Sequence, residues 1–153
     1  MSRQPFPPLV VLVGPTAVGK TALAIQLAER LNGEIVSADS RYLYRYMDIG
    51  TAKPSAAELA RVPHHLIDVT TPDQPWSLAQ YQSAAFSAIG AIHARGRLPL
   101  LVGGTGQYVR AIVEGWQPPE GGQSPELRAD LEARLATLGL DALVRQLREL
   151  DPE

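Results

Sequence analysis

The octapeptide Gly14-Pro-Thr-Ala-Val-Gly19-Lys20-Thr21 sets a glycine, four residues, and then Gly-Lys-Thr directly behind the apolar run Leu9–Val13. A loop of this spacing between a strand and a helix turns its backbone N–H groups toward phosphate oxygens, while the helix start adds partial positive charge. Lys20 neutralises phosphate oxygens and the Thr21 hydroxyl can ligate Mg2+. Gly14, Pro15, Thr16, Ala17, Val18, Gly19, Lys20 and Thr21 are therefore expected to hold a diphosphate group. The loop does not name the molecule that carries it.

Nucleotide triphosphatases and kinases usually place a magnesium-holding Asp at the end of a later apolar strand. Here that strand reads LPLLVGGTG, with Gly103 where the Asp would stand. The strand that does end in a carboxylate is Glu34-Ile-Val-Ser-Ala-Asp39, and the α/β rule brings its Asp beside the loop. Two roles stay open for Asp39, as a magnesium ligand or as the acceptor of a proton from an attacking substrate.

Positioning these groups requires a sheet. Apolar runs of strand length occur at Leu9–Val13, Glu34–Ala38, His65–Val69 and Leu98–Val102, separated by helical patterns, which predicts a parallel α/β sheet with flanking helices. The first helix is predicted from Lys20 to about Leu31, with Leu23, Leu27 and Leu31 as its buried stripe and Asn32-Gly33 as its stop. Ser55-x-x-Glu58 and Ser77-x-x-Gln80 have the capping-box form, the second opening a helix that runs to Arg95-Gly96. The Pro- and Gly-rich stretch Glu114–Gln123 reads as a connection out of the sheet region. Ser124-Pro125 then starts two further helices, around 125–137 and 140–150.

The 153 residues suffice for one core, and the absence of cysteine leaves stability to packing and fits a reducing cytosol. The N-terminal apolar run is far shorter than the roughly 20 residues of a membrane span, so it is read as a core strand and no membrane is expected as a partner. Net charge is −2 overall, but residues 1–110 carry +3 and residues 111–153 carry −5. Charge alone does not announce a nucleic-acid partner.

The stretch Asp39-Ser-Arg-Tyr-Leu-Tyr-Arg-Tyr-Met-Asp-Ile-Gly-Thr-Ala-Lys-Pro54, the stretch Val62-Pro-His-His-Leu-Ile-Asp68 and the stretch Leu101-Val-Gly-Gly-Thr-Gly-Gln-Tyr108 follow the loop in order. Together with GPTAVGKT they closely resemble the tRNA dimethylallyltransferases, also called isopentenyl-tRNA transferases. The resemblance implies a P-loop NTPase-like fold and transfer of a dimethylallyl group from dimethylallyl diphosphate to the exocyclic amine of the tRNA adenosine 3′ of the anticodon. The loop would then hold the diphosphate leaving group with Mg2+, Thr21 ligating the metal and Lys20 acting electrostatically. Asp39 would take the amine proton, with Thr105 orienting the amine. Asp39, Ser40, Arg41, Tyr42, Thr105 and Arg128 match positions that contact tRNA, so an anticodon stem-loop is the expected partner of a cytoplasmic, monomeric protein. Tyr42 stands where many relatives carry Gln, and Gln107 where Leu is frequent.

The resemblance further implies residues 1–115 as an α/β core short of its last strand and 116–153 as the start of a helical tRNA-binding insertion. Members of the family are about twice as long, and the front half alone is expected to be weakly active or inactive. Two other enzyme readings are a small-molecule kinase and an adenylate isopentenyltransferase acting on free nucleotides. A third is a noncatalytic fragment that binds diphosphate. Structural roles are expected for His64 and His65, Trp76 and Trp116, and for the alternating Tyr42, Tyr44 and Tyr46 as one packed face. Asp48 and Lys53 either shape the mouth of the site or pair as exposed ions.

Overall fold

The second strand of the fold explains most of its plan, because all five of its residues are buried and successive side chains must satisfy opposite faces. In a computed structural model that describes residues 8–15, 17–116 and 124–151, β1 (Val10–Val13), β2 (Gly33–Ser37), β3 (His64–His65) and β4 (Leu98–Gly103) form one parallel sheet. Its order is β1-β4-β2-β3. Ile35 and Leu100 face α1 (Lys20–Leu31) with Ala24, Ile25 and Ala28. Val36 and Leu101 face the opposite layer, where α3 (Leu78–Ala94) and α4 (Gly106–Val113) contribute Tyr81, Ala85, Ile92, Tyr108 and Ile112. Both faces are covered, as parallel strands require.

The capping boxes form as read. Ser77 accepts from the Gln80 N–H at the head of α3, and Ser55 accepts from the Glu58 N–H at the head of the short α2 (Ala56–Leu59). In each box the N3 side chain answers the cap backbone.

Two expectations need correction and one helix was not read from the sequence. The buried stripe of α1 is Ala24, Ile25 and Ala28; Leu23 and Leu31 are each 47% exposed, and Leu27 packs only at the margin of the core. Small residues let the helix backbone lie close over β2 and β4, which pushes the leucines to its flanks. The run His65–Val69 supplies only the end of β3, because Leu66 (φ 62°) and Asp68 (φ 56°) adopt left-handed backbone that cannot continue a strand. The backbone N–H groups of Asp68 and Val69 instead bond the Tyr42 and Leu43 carbonyls. Finally, α4 was not foreseen behind Gly103-Gly104-Thr105-Gly106, yet it buries Tyr108, Ala111 and Ile112.

The chain divides into two compact units, Met1–Pro118 and Pro119–Glu153. In the second, α5 (Pro125–Leu138) starts at Ser124, whose hydroxyl accepts from the Leu127 N–H, and α6 (Leu140–Leu150) follows Gly139. Thr16 and most of the expected connection, 117–123, fall outside the described residues.

At the amino end of β2 the carboxylate of Glu34 is 2% exposed. Arg95 donates to it twice, at 2.7 and 3.1 Å, Arg97 once at 3.2 Å, and His65 Nε2 lies 2.6 Å away. The Arg95 hydrogen bonds hold its pKa down at about 2, against the opposing effect of burial, with His65 assisting. A depressed carboxylate stabilises the fold fully above its ordinary value of 4.5 and loses that contribution as pH falls toward about 2. Glu34→Gln should therefore lower the unfolding free energy at pH 7 by roughly 3 kcal/mol. In urea titrations the gap from the parent chain should narrow as pH falls below 4.5.

Candidate functional site

Parallel strands deliver their carboxyl ends to one edge, so the phosphate loop after β1, Asp39 after β2 and Thr105 after β4 meet there. The meeting is tightened by backbone pairing beyond the strands. Ala38 donates to the Val102 carbonyl at 2.8 Å and accepts from the Thr105 N–H at 3.1 Å. The Ser40 N–H then donates to Thr105 Oγ1 at 3.0 Å.

Gly103 makes this approach possible. A Cβ built on it would lie 2.8 Å from the Ala38 Cα and closer still to the Ala38 carbonyl. The position where a kinase would carry its magnesium-binding Asp is thus closed to any side chain.

The phosphate loop turns through Ala17 (φ 65°) and Gly19 (φ 84°), both left-handed, before α1 begins. The cap residue of α1 is Gly19, and among the described residues no side chain caps the helix, so its first N–H groups are open to a ligand. Lys20 folds back, its Nζ donating to the Pro15 carbonyl at 2.5 Å. Gly19, Lys20, Thr21, Asp39, Tyr42 and Glu58 line a cavity of about 240 Å³ in front of the loop.

Asp39 also lines a second cavity of about 250 Å³, together with Ser40, Arg41, Thr51, Gly104 and Thr105. It therefore stands in the wall shared by the two. One carboxylate oxygen accepts from the Arg41 N–H at 2.9 Å, which fixes the orientation of the group. Of the predicted residues, Lys20, Thr21, Asp39, Ser40, Arg41, Tyr42 and Thr105 come together here. Pro15 and Gly14 lie on the loop's other flank, lining a separate space with Val13 and Arg110. Arg128 belongs to the second unit, where it is exposed and pairs with Glu132 at 3.0 Å.

Tyr42 is half-buried, its hydroxyl donating to the Ala52 carbonyl. Burial raises its pKa and the charge of Asp39 adds to that, while the nearby Thr21 hydroxyl pulls it back. Sequence reading missed one contributor and left Lys53 open between two roles. Glu58, legible only as a cap, also lines the loop cavity, its carboxylate held below the ordinary range by the Ser55 N–H and hydroxyl. Lys53 is a hub, its side chain 7% exposed and its ammonium 2.6 Å from Asp68, 2.8 Å from Asp48 and 2.6 Å from the Tyr44 carbonyl. Burial disfavours its charge, but the two carboxylates outweigh that and raise its pKa. Only the lysine's burial separates this arrangement from an exposed ion pair, and residue spacing gives no sign of it.

Fold and site together define a phosphate-loop α/β protein whose acidic residue follows β2 and not β4. The family model described as IPP transferase matches residues 42–153, and the one described as isopentenyl transferase matches residues 7–74. The chain belongs to the IPP transferase family. It is 61% identical to the tRNA dimethylallyltransferase of Roseiflexus sp. (strain RS-1) over 95% of this chain and 48% of that protein. To the tRNA dimethylallyltransferase of Herpetosiphon aurantiacus it is 58% identical over 99% of this chain and 48% of that protein. The crystal structure of the full-length tRNA isopentenylpyrophosphate transferase of Bacillus halodurans superposes with a TM-score of 0.71 at 49% identity, covering 95% of this chain and 48% of that one. A eukaryotic dimethylallyltransferase captured acting on tRNA gives 0.79 at 30% identity, over 94% and 36% of the respective chains. The chain thus spans about half the length of the curated relatives it matches. Among the described residues no helix is long and apolar enough to cross a membrane.

Gly103→Ala should cost about 2 to 3 kcal/mol in urea-induced unfolding, because the added methyl meets backbone that cannot move aside like a side chain. Gly90→Ala, where nothing lies within 4 Å of the added atom, is the control and should be neutral or stabilising.

Proposed function

We propose that this chain carries the catalytic front of an enzyme that transfers a dimethylallyl group from dimethylallyl diphosphate to the exocyclic amine of an adenosine beside a tRNA anticodon. The observation that carries the reading is the place of Asp39 between two cavities, one fronting the phosphate loop and one reaching Thr105. The names of the relatives support the same reaction.

The diphosphate occupies the first cavity, its oxygens facing the loop and α1 N–H groups and Lys20. The adenine enters from the second, turned out of its stack. The allylic carbon–oxygen bond breaks and the electron pair leaves with diphosphate, while the amine nitrogen forms the new bond to carbon. Asp39 takes the displaced amine proton, and Thr105, already held against Ser40, orients the amine. Lys20 and the loop stabilise the charge that develops on the departing oxygen.

The donor set suits Mg2+, because Thr21 offers a hard hydroxyl oxygen on the cavity in front of the loop and such an ion takes few protein ligands beside phosphate. Bound there, it would neutralise diphosphate charge. Ser40, Arg41, Tyr42 and Arg128 are assigned to the tRNA.

Asp39→Asn keeps an oxygen for the Arg41 N–H and should fold normally. In the protein it should bind inorganic diphosphate with Mg2+ as the parent does, yet transfer labelled dimethylallyl to an anticodon stem-loop at least ~100-fold more slowly. Lys20→Ala should lose the binding itself. Undiminished transfer by the Asn variant would remove Asp39 from the reaction, and transfer to free AMP in preference to RNA would change the acceptor.

A further inference from the structure

The site just described leaves one buried polar atom without employment. His64 Nδ1 lies 2.8 Å from the Val62 carbonyl oxygen. A carbonyl only accepts, so Nδ1 carries the ring proton and Nε2 of the neutral ring is a bare acceptor. Burial lowers the pKa of His64, which favours that neutral ring. Its Nε2 is buried and has no hydrogen-bond partner among the described residues.

Beside it lies a cavity of about 20 Å³ under the phosphate loop, lined by Thr21, Ser37, Tyr42 and His64 with the apolar Ile35 and Pro54. A single water needs roughly 10 to 15 Å³ of such space and two to four polar partners. Ser37 Oγ accepts from the Asp39 N–H at 3.3 Å, which leaves its own proton free to donate. Thr21 and Tyr42 complete the polar part of the wall.

We propose that this cavity holds one ordered water donating to His64 Nε2, and that through this water His64 orients the Thr21 and Ser37 hydroxyls beneath the phosphate loop. His64 is then a positioning residue. Thr21 must turn a lone pair outward to the ligand, so its proton has to be steered elsewhere, and the water in the cavity it lines is the acceptor that does so. Ser37 links the same water to the backbone of Asp39. The functional half of this inference rests on the reading of the loop as a magnesium–diphosphate site; the water itself does not.

Two isosteres separate the ring's nitrogens. The amide of His64→Asn reaches the Nδ1 position and keeps the Val62 contact, whereas that of His64→Gln reaches the Nε2 position and the cavity. Titration calorimetry with inorganic diphosphate and Mg2+ should show His64→Asn weakened about tenfold and His64→Gln within about threefold of the parent. Thermal melting should report both variants folded. Parent-like affinity in the Asn variant, or equal weakening in both, overturns the positioning role. In the parent chain, a nuclear Overhauser cross-peak between a long-lived water and the His64 ring proton on Cδ2 is expected, and its absence overturns the water. A parent that binds no diphosphate defeats the reading of the loop and with it the positioning role, and the cross-peak still decides the water.

Discussion

The carboxyl edge of the sheet hangs on the contact between the Ala38 backbone and Gly103. Ala38 spends its N–H on Val102 and its carbonyl on Thr105, so β2 and β4 stay paired past the point where the sheet formally ends. That pairing fixes where Asp39 emerges relative to Thr105, and the glycine is the condition for it. A side chain at 103 would separate the two groups whose nearness gives the site its character. The same constraint accounts for the missing carboxylate after β4: in this fold the space belongs to the neighbouring strand.

The two ends of β2 show how one strand can carry two carboxylates to different purposes. Glu34 is buried among Arg95, Arg97 and His65, with both oxygens engaged, and its charge is locked in. Asp39 has one oxygen held by a backbone N–H and lies in the wall of two cavities. A carboxylate already saturated by cations is poor at exchanging protons. Asp39 faces two cavities instead of a ring of cations, and its proposed role rests on that difference.

Local pattern made much of this legible. The phosphate loop, both capping boxes and the helix starts at Lys20 and Ser124 depend on residues within one or two turns of each other, and all are found where their spacing put them. Strand order placed Asp39 beside the loop for the same reason. What was not legible depends on distant contacts. The face of α1 that is buried is chosen by how closely a helix can approach β2 and β4, and alanines win over leucines there. The run 65–69 leaves the sheet because the Asp68 and Val69 N–H groups go to the Tyr42 and Leu43 carbonyls. Lys53 becomes a buried hub only because Asp48 and Asp68 arrive from separate turns. The helix α4 hides behind glycines that sequence reading takes as punctuation, while the stacking of Tyr108 on Tyr81, centroids 3.7 Å apart, secures it.

That stacked pair joins the helices to the chemistry. Tyr81 reaches through the core to donate to the Ser37 carbonyl at 3.0 Å, while on the strand's other side the Ser37 hydroxyl receives the Asp39 N–H and borders the small cavity with His64. The last turn of β2 before Asp39 is therefore held from both layers of the fold at once. A proton acceptor in the place proposed for Asp39 must not drift by even an ångström, since reactivity falls steeply with misplacement. The hydrogen bonds around Ser37, one of them from the Asp39 N–H itself, add to the Arg41 contact in meeting that need, so the residues that matter to this site extend well below its surface.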